Sequence, residues 1–199
     1  MAGTSIYSVY RRTARAAAKQ QVVKKTSNVD VERARTDFAY FCDVVGDKPP
    51  AAHHKEWHRY LCTGEDSECL VGIGGPNIDI LAPRGSAKST ILGLYTAWTV
   101  GVHALNKLPL KVLYISYTVD VARPKSAAIK RIIDESKTYR EIFPRVKIAK
   151  GINSNEYWSI DWKFAGIKST GEEEFTVCCA GLKGAVTSKR SHLCIIDDA

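Results

Sequence analysis

One stretch, Ile80–Thr90 (ILAPRGSAKST), constrains the fold of this chain more than any other. It joins an apolar run to a turn of small residues, and Lys88-Ser89-Thr90 then opens a long apolar segment that reaches Leu105. Strand, tight turn and helix follow in the order of a phosphate-binding loop, in which backbone N–H groups and a helix N-terminus surround a polyphosphate. In such a loop a lysine ammonium contacts the terminal phosphates and a hydroxyl binds Mg²⁺. Lys88 and Ser89 are the residues for these two roles.

The loop departs from the common pattern G-x-x-x-x-G-K-[ST] at two positions. The pattern has glycine where this chain has Ala82 and Ala87, and Gly85 is the only glycine inside the loop. The context supports the loop nonetheless, because residues 77–83 are an apolar run of strand type and residues 89–105 suit a buried helix packed on a sheet. The predicted nucleotide-binding residues of the loop are Pro83, Gly85, Ser86, Ala87, Lys88, Ser89 and Thr90.

The segment Leu193–Ala199 (LCIIDDA) supplies a second motif. It is an apolar strand that ends in two carboxylates, Asp197 and Asp198, which is the form of a Walker B strand. At the carboxyl end of a parallel strand one acid can hold the Mg²⁺ that Ser89 also binds, and the next can orient or deprotonate an attacking water. Taken alone, the acidic pair is equally an ordinary strand-to-loop transition. Together the two motifs favour a Mg²⁺-dependent NTPase.

These motifs resemble the ATPase domain of tailed-phage terminase large subunits, the DNA-packaging motors. The loop variant APRGSAKST, with Arg84 inside it, is the most specific part of a resemblance that spans residues 37–199. Three further stretches agree with it: PPAAHHKEWHRYL, VLYISYTVDVARPKSAAIKRII and GLKGAVTSKRSHLCIIDD. The resemblance implies an α/β fold of the P-loop NTPase class, a three-layer sandwich with a mostly parallel sheet that is incomplete at the C-terminus.

The resemblance also implies roles for individual residues. ATP would lie with its phosphates along the loop, with Lys88 on the β and γ phosphates and Mg²⁺ bound by Ser89 and Asp197. Arg84 resembles the loop arginine that stabilises developing charge on the γ phosphate. Asp198 stands where the family carries a glutamate that activates water, so we expect the catalytic base to be Asp198 or a residue farther along the chain.

The segment before the loop, residues 51–62 (AAHHKEWHRYLC), is predicted to be a short helix. By the resemblance it lies beside the adenine base, where His54 and Trp57 would stack on the base or cover it. His54, His58 and Cys62 recur at every fourth residue and would share one helix face, which makes zinc the alternative interpretation.

Hydrophobic periodicity predicts the remaining elements. They are a helix with one apolar stripe from Val31 to Val45, a buried parallel strand at 111–118, a half-buried strand at 157–164 and another strand at 175–181. Cys178 and Cys179 must face opposite sides of the last strand.

A further helix is predicted after residue 118, with Pro124 in its first turn and an end near Ser136. The residues predicted to face inward are Ala128, Ile129, Ile132 and Ile133, and those predicted to face outward are Lys125, Lys130 and Arg131. The outward basic row is a solvated face or, alternatively, a track for DNA phosphates.

The net charge of +8 indicates an acidic partner, and nucleic acid is the usual one. Residues 1–29 contain six basic residues and no acid, so they are a contact for DNA or a partner subunit, or a solvated lead-in. We divide the chain into a basic arm with a lead-in helix at 1–46 and a partial P-loop ATPase domain at 47–199.

Two observations bear on the compartment. The six cysteines show no metal-type or secretory spacing, which favours a reducing cytoplasm. The longest uncharged run, residues 89–106, is shorter than the roughly 20 apolar residues of a membrane span. By the resemblance, the compartment is the cytoplasm of an infected bacterium.

The resemblance implies the ATPase module of a phage DNA-packaging motor, which couples ATP hydrolysis to translocation of double-stranded DNA. The implied partners are double-stranded DNA, the phage portal protein and the terminase small subunit, and the full-length protein would form a homo-oligomeric ring. The alternatives are another nucleic-acid-dependent P-loop ATPase of helicase type and a non-catalytic assembly fragment. Because the acidic pair almost ends the chain, we expect the front part of a longer protein, lacking a central strand and hydrolysing ATP weakly or not at all by itself.

Overall fold

The computed structural model describes residues 29–46, 49–61, 82–83, 85–168, 175–182 and 190–197, and for residues 58–61 and 152 the backbone only. The compact unit that contains the helices and the sheet begins at Val31. Several predictions concern residues outside these ranges: the basic arm up to residue 28, the strand before Ala82, and two candidate catalytic residues, Arg84 and Asp198.

Helices and strands follow one another along the described chain. The helices are α1 Val31–Thr36, α2 Phe38–Val45, α3 Ala52–Leu61, α4 Lys88–Leu105, α5 Val119–Glu135, α6 Lys137–Ile142 and α7 Trp162–Ala165. The strands are β1 Val112–Ser116, β2 Ile148–Asn153, β3 Tyr157–Ile160, β4 Val177–Gly181 and β5 Leu193–Ile196.

The described strands form a mixed sheet with the order β2-β3-β4-β1-β5. β1 lies between β4 and β5 and is parallel to both, whereas β3 is antiparallel to β4 and to β2. All five residues of β1 are buried, in agreement with its mainly apolar sequence. The protein is therefore α/β with a parallel centre to its sheet, as predicted. Because β1 and β5 run in the same direction, their carboxyl ends lie at the same edge.

Helix α4 connects this sheet to the helices at the start of the unit. Its Trp98 is 1% exposed and donates a hydrogen bond from Nε1 to the Ala34 carbonyl of α1 at 3.0 Å. The hydroxyl of Tyr139 in α6 donates to the Ala97 carbonyl at 2.8 Å. The predicted helix at 31–45 is divided into α1 and α2 at Asp37, whose carboxylate accepts a hydrogen bond from the Tyr40 backbone N–H at 3.0 Å.

Helix α5 begins earlier than predicted. The Thr118 hydroxyl accepts a hydrogen bond from the Val121 backbone N–H and caps the helix, so Pro124 lies in the second turn and not in the first. The buried stripe is Ala122, Ser126, Ile129 and Ile133. That spacing places Ala128 on the exposed side, and its predicted inward orientation was wrong.

Strand β3 is shorter than predicted and ends at Ile160. Asp161 accepts a hydrogen bond from the Phe164 backbone N–H at 2.9 Å and starts α7, so the local capping preference ends the strand. Trp158 and Trp162 are buried, and Trp158 Nε1 donates a hydrogen bond to the Ser126 hydroxyl at 2.8 Å.

The described cysteines are Cys42, Cys178, Cys179 and Cys194, and all four are free thiols. The Cys179 thiol lies 3.8 Å from the Ala122 carbonyl of α5, whereas Cys178 packs with Leu113 on the other face of the sheet, as predicted. Burial raises the pKa of Cys42 to about 12 and that of Cys179 to about 11, so both thiols pack as small apolar groups. In the part of the chain described, no helix has the length and apolar character needed to cross a bilayer.

Candidate functional site

The site begins at the turn that leads into α4. Gly85 has φ 85°, and Ala87, the residue before the helix, has φ 59° and ψ 23°. Both angles lie in the left-handed region, which glycine enters without steric cost and other L-residues rarely adopt. This conformation explains why the common pattern has glycine at the position of Ala87. In this chain Ala87 adopts the left-handed conformation with a methyl group present.

Strand β5 carries the acid of the second motif to the same place. The Asp197 backbone N–H donates to the Ile115 carbonyl at 2.9 Å, which extends the pairing of β5 with β1 by one residue. The Asp197 side chain is only 1% exposed, and its Oδ1 atom lies 3.7 Å from Lys88 Nζ. The two motifs, far apart in the sequence, therefore meet at the N-terminus of α4.

The two oxygens of the Asp197 carboxylate have different surroundings. Oδ2 accepts a hydrogen bond from the Tyr114 hydroxyl at 2.8 Å and lies 4.0 Å from Lys125 Nζ. Oδ1 is buried and accepts no hydrogen bond from any residue that the structure describes. A buried carboxylate oxygen without a donor is costly, and a bound cation is one way to satisfy it.

The chemistry of these groups fits Mg²⁺. Hard divalent cations take oxygen ligands, and the Asp197 carboxylate and the Ser89 hydroxyl in the first turn of α4 are both of this type. Within the described ranges no group of three or more His, Cys, Asp or Glu side chains could hold a metal ion by itself. Mg²⁺ is commonly held by one or two protein ligands, with substrate phosphates and water completing its shell.

The predicted adenine-side segment contacts the loop. His54 Nε2 lies 2.7 Å from the Ser86 carbonyl, and its Nδ1 accepts a hydrogen bond from the Ala51 backbone N–H at 3.1 Å. Since a carbonyl oxygen only accepts, the Nε2 atom carries the proton in this arrangement. The half-exposed Trp57 ring lies 5.2 Å from the His54 ring, between centroids. His54 and Trp57 are thus next to the phosphate loop. The zinc set of His54, His58 and Cys62 involves side chains outside the described part of the chain.

The remaining predicted residues differ in placement. Pro83 and Thr90 are exposed, and Ser86 and Ser89 are half-buried. The catalytic candidates Arg84 and Asp198 lie outside the described residues.

Two residues near the acid were not predicted. Tyr114 is the one hydroxyl-bearing aromatic residue in the apolar strand β1, a signal that sequence reasoning could have used. Lys125 was predicted to face outward with Lys130 and Arg131, which was wrong, because its ammonium is directed at Asp197. No signal in the sequence gives that direction, since it depends on the rotation of α5 about its axis.

Comparison of the chain with protein-family models, with curated proteins and with solved structures finds no match. Any account of function therefore depends on the residues and geometry of the site itself.

Proposed function

We propose that this chain binds ATP with Mg²⁺ where α4, β1 and β5 meet, and hydrolyses it as the ATPase module of a terminase-type DNA-packaging motor. One observation carries the proposal: Lys88 Nζ lies 3.7 Å from Oδ1 of the buried Asp197, and that oxygen accepts no hydrogen bond from the described residues. An ammonium, a buried carboxylate oxygen without a hydrogen-bond donor and a helix N-terminus in one place suit a polyphosphate and its metal ion.

The chain's own residues would bind the phosphates in two ways. The first turn of α4 has backbone N–H groups without intrahelical acceptors, and these would donate to phosphate oxygens. The Lys88 ammonium, which lies at ion-pair distance from Asp197, would move to the β and γ phosphates. The carboxylate of Asp197 would then be available to the metal ion together with the Ser89 hydroxyl. Mg²⁺ at this position supplies neutralisation of the charge on the phosphate oxygens.

Hydrolysis requires two further groups, for which the proposal retains the residues indicated by the resemblance. Asp198 would orient the attacking water or accept its proton. Arg84 would stabilise charge on the γ phosphate, and an arginine in this role contributes roughly 10³-fold or more to the rate of related NTPases.

The proposed partners are double-stranded DNA, the portal protein and the small subunit, in the host cytoplasm. Two observations support a nucleic-acid partner. The net charge of +8 favours a polyanion, and residues 1–29 carry six basic residues without an acid.

ATP turnover with and without DNA tests this function. We expect slow ATP turnover that is stimulated by double-stranded DNA and abolished by Lys88→Ala and by Asp197→Asn. Lys163→Ala, a control at an exposed position of α7, should leave the turnover unchanged. Stimulation by single-stranded DNA alone would favour the helicase-type ATPase. Turnover that is insensitive to Lys88→Ala would contradict ATP hydrolysis at this site. Absence of both turnover and Lys88-dependent ATP binding would leave the non-catalytic assembly fragment.

A further inference from the structure

We propose that Tyr114 and Lys125 are positioning residues that hold one oxygen of Asp197, so that the other oxygen is presented to Lys88 and the metal ion. This inference rests on the proposed function, because it assigns a task to side chains that surround the proposed Mg²⁺ ligand. It concerns residues that neither nucleotide-binding motif contains.

The geometry divides the carboxylate into two halves. Oδ2 accepts the 2.8 Å hydrogen bond from the Tyr114 hydroxyl and has the Lys125 ammonium at 4.0 Å. Oδ1 has the Lys88 ammonium at 3.7 Å and no hydrogen-bond donor among the described residues. A carboxylate that is anchored through one oxygen cannot rotate freely about its terminal torsion, so the second oxygen keeps a fixed direction.

The position of Tyr114 makes it a rigid anchor. It lies in the middle of β1, is 0% exposed, and has strands hydrogen-bonded on both sides. Its register partner in β5 is Ile195, two residues before Asp197, so the long phenol ring reaches the acid from the neighbouring strand. A shorter hydroxyl residue at this position would leave the donor several ångströms from Oδ2.

Lys125 comes from a helix that is itself firmly placed. Next to it along α5, the buried Ser126 hydroxyl accepts a hydrogen bond from Trp158 Nε1 of β3 at 2.8 Å, and Arg123 pairs with Glu156 at 2.8 Å. The Lys125 side chain is 34% exposed, so its ammonium lies at the rim of the site.

Two ammonium groups therefore face one carboxylate, which leaves one positive charge in excess among these three side chains. That excess favours an anion at the site. When the anion's phosphates attract Lys88, Lys125 and Tyr114 remain as the partners of Asp197. The Asp197 carboxylate thus keeps its orientation when the Lys88 ammonium moves from it to the phosphates.

Measurement of metal affinity distinguishes a role of Tyr114 and Lys125 in orienting Asp197 from a role in folding alone. The test variants are Tyr114→Phe, which removes only the hydroxyl, and Lys125→Met, which removes only the charge. The matched controls are Tyr117→Phe, at the exposed residue that follows β1, and Lys130→Met, on α5. ATP binding is measured by calorimetry with EDTA and with Mg²⁺, and Mn²⁺ binding to the ATP complex is measured by electron paramagnetic resonance.

We expect Tyr114→Phe to bind metal-free ATP as the wild type does, and Lys125→Met to bind it more weakly because one positive charge is lost. Both variants should bind Mn²⁺ and Mg²⁺ in their ATP complexes about 10-fold or more weakly, the usual effect of removing a group that orients a metal ligand. Metal affinities equal to those of the control variants would overturn the inference while the proposed function stands. Absence of Lys88-dependent ATP binding in the wild type would overturn both. If Tyr114→Phe lowers the melting temperature so far that it does not fold, the partly exposed Lys125→Met variant decides.

Discussion

Ala87 holds φ at 59° directly before the lysine on which the proposed phosphate site depends. A left-handed conformation costs an L-residue other than glycine roughly 1–2 kcal/mol, because the Cβ atom approaches the following carbonyl oxygen. The turn is maintained because it directs the chain from the loop into α4, whose 18 residues are largely buried. Packing of the helix thus offsets a local cost at the site.

Replacement of Ala87 by glycine tests that local cost. Glycine relieves the strain at this position and so stabilises the folded state. It also gives the unfolded chain more conformations, which lowers the free energy of unfolding by about 0.4–1 kcal/mol and partly offsets that gain. We expect Ala87→Gly to raise the free energy of unfolding by up to about 1 kcal/mol, measured by urea denaturation. The control Ala128→Gly, at an exposed position inside α5, should lower it by about 0.5–1 kcal/mol. Equal losses in the two variants would show that Ala87 is not strained.

The residues of the site could be predicted from sequence only where they belong to local motifs. Lys88 and Asp197 were found because each follows a recognisable pattern of a few residues. Tyr114 and Lys125 were missed because their contacts with Asp197 depend on the register of β1 against β5 and on the rotation of α5. Neither quantity is encoded in a short stretch of sequence.

Helix α3 contacts the predicted phosphate loop, a proximity that the sequence suggested only through resemblance. The 2.7 Å approach of His54 Nε2 to the Ser86 carbonyl places the ring of Trp57 near the loop. If α3 binds the adenine base and the loop binds the phosphates, then binding of the base and binding of the phosphates can be measured separately.

Substitution of Trp57 provides this separation. Stacking of a base on an aromatic side chain is worth about 1–3 kcal/mol, so Trp57→Ala should weaken ATP binding about 5-fold or more and leave binding of inorganic tripolyphosphate unchanged. Trp162→Phe, a core substitution in α7, is the control for general loss of tryptophan. Equal weakening of both ligands by Trp57→Ala would show that α3 supports the loop and does not contact the base.

Some elements were predicted and others were missed. Strands β1, β4 and β5 and helix α4 are mainly apolar, and all four were predicted. Strand β2 and helices α6 and α7 were not predicted. The start of α5 and the end of β3 were missed because single side chains, Thr118 and Asp161, cap the neighbouring helices. A capping hydrogen bond can override the periodicity of a whole segment.

For the whole molecule, pH acts through the buried His103 of α4. Burial, together with a smaller effect of the nearby His192, lowers the pKa of His103 to about 4, although a hydrogen bond to the Pro109 backbone raises it. In the unfolded chain the histidine has a pKa of about 6.5. Between these values the unfolded chain binds a proton that the folded protein does not, so stability falls as the pH decreases from 6.5 towards 4.

We expect the free energy of unfolding to decrease by about 2 kcal/mol more in the wild type than in His103→Gln between pH 7 and pH 5, since glutamine has no charge to gain. Urea denaturation of both proteins at the two pH values measures the difference. Other groups titrate in this range, but they are the same in both proteins and cancel in the comparison. Identical pH dependence would mean that the pKa of His103 is the same in the folded and the unfolded protein, and would contradict this account.

The central claim is that Lys88 and Asp197 form a Mg²⁺-dependent nucleotide site, and equilibrium binding of ATP tests it most directly. Calorimetry with the wild type, Lys88→Ala and the control Lys130→Ala, each with Mg²⁺ and with EDTA, is the measurement. We predict that the wild type and the control bind ATP and that Mg²⁺ strengthens this binding. Lys88→Ala should bind ATP about 10-fold or more weakly, which is the loss expected for a charged group that bonds directly to phosphate. Equal affinities of Lys88→Ala and the wild type, or binding that is indifferent to Mg²⁺, would contradict the account.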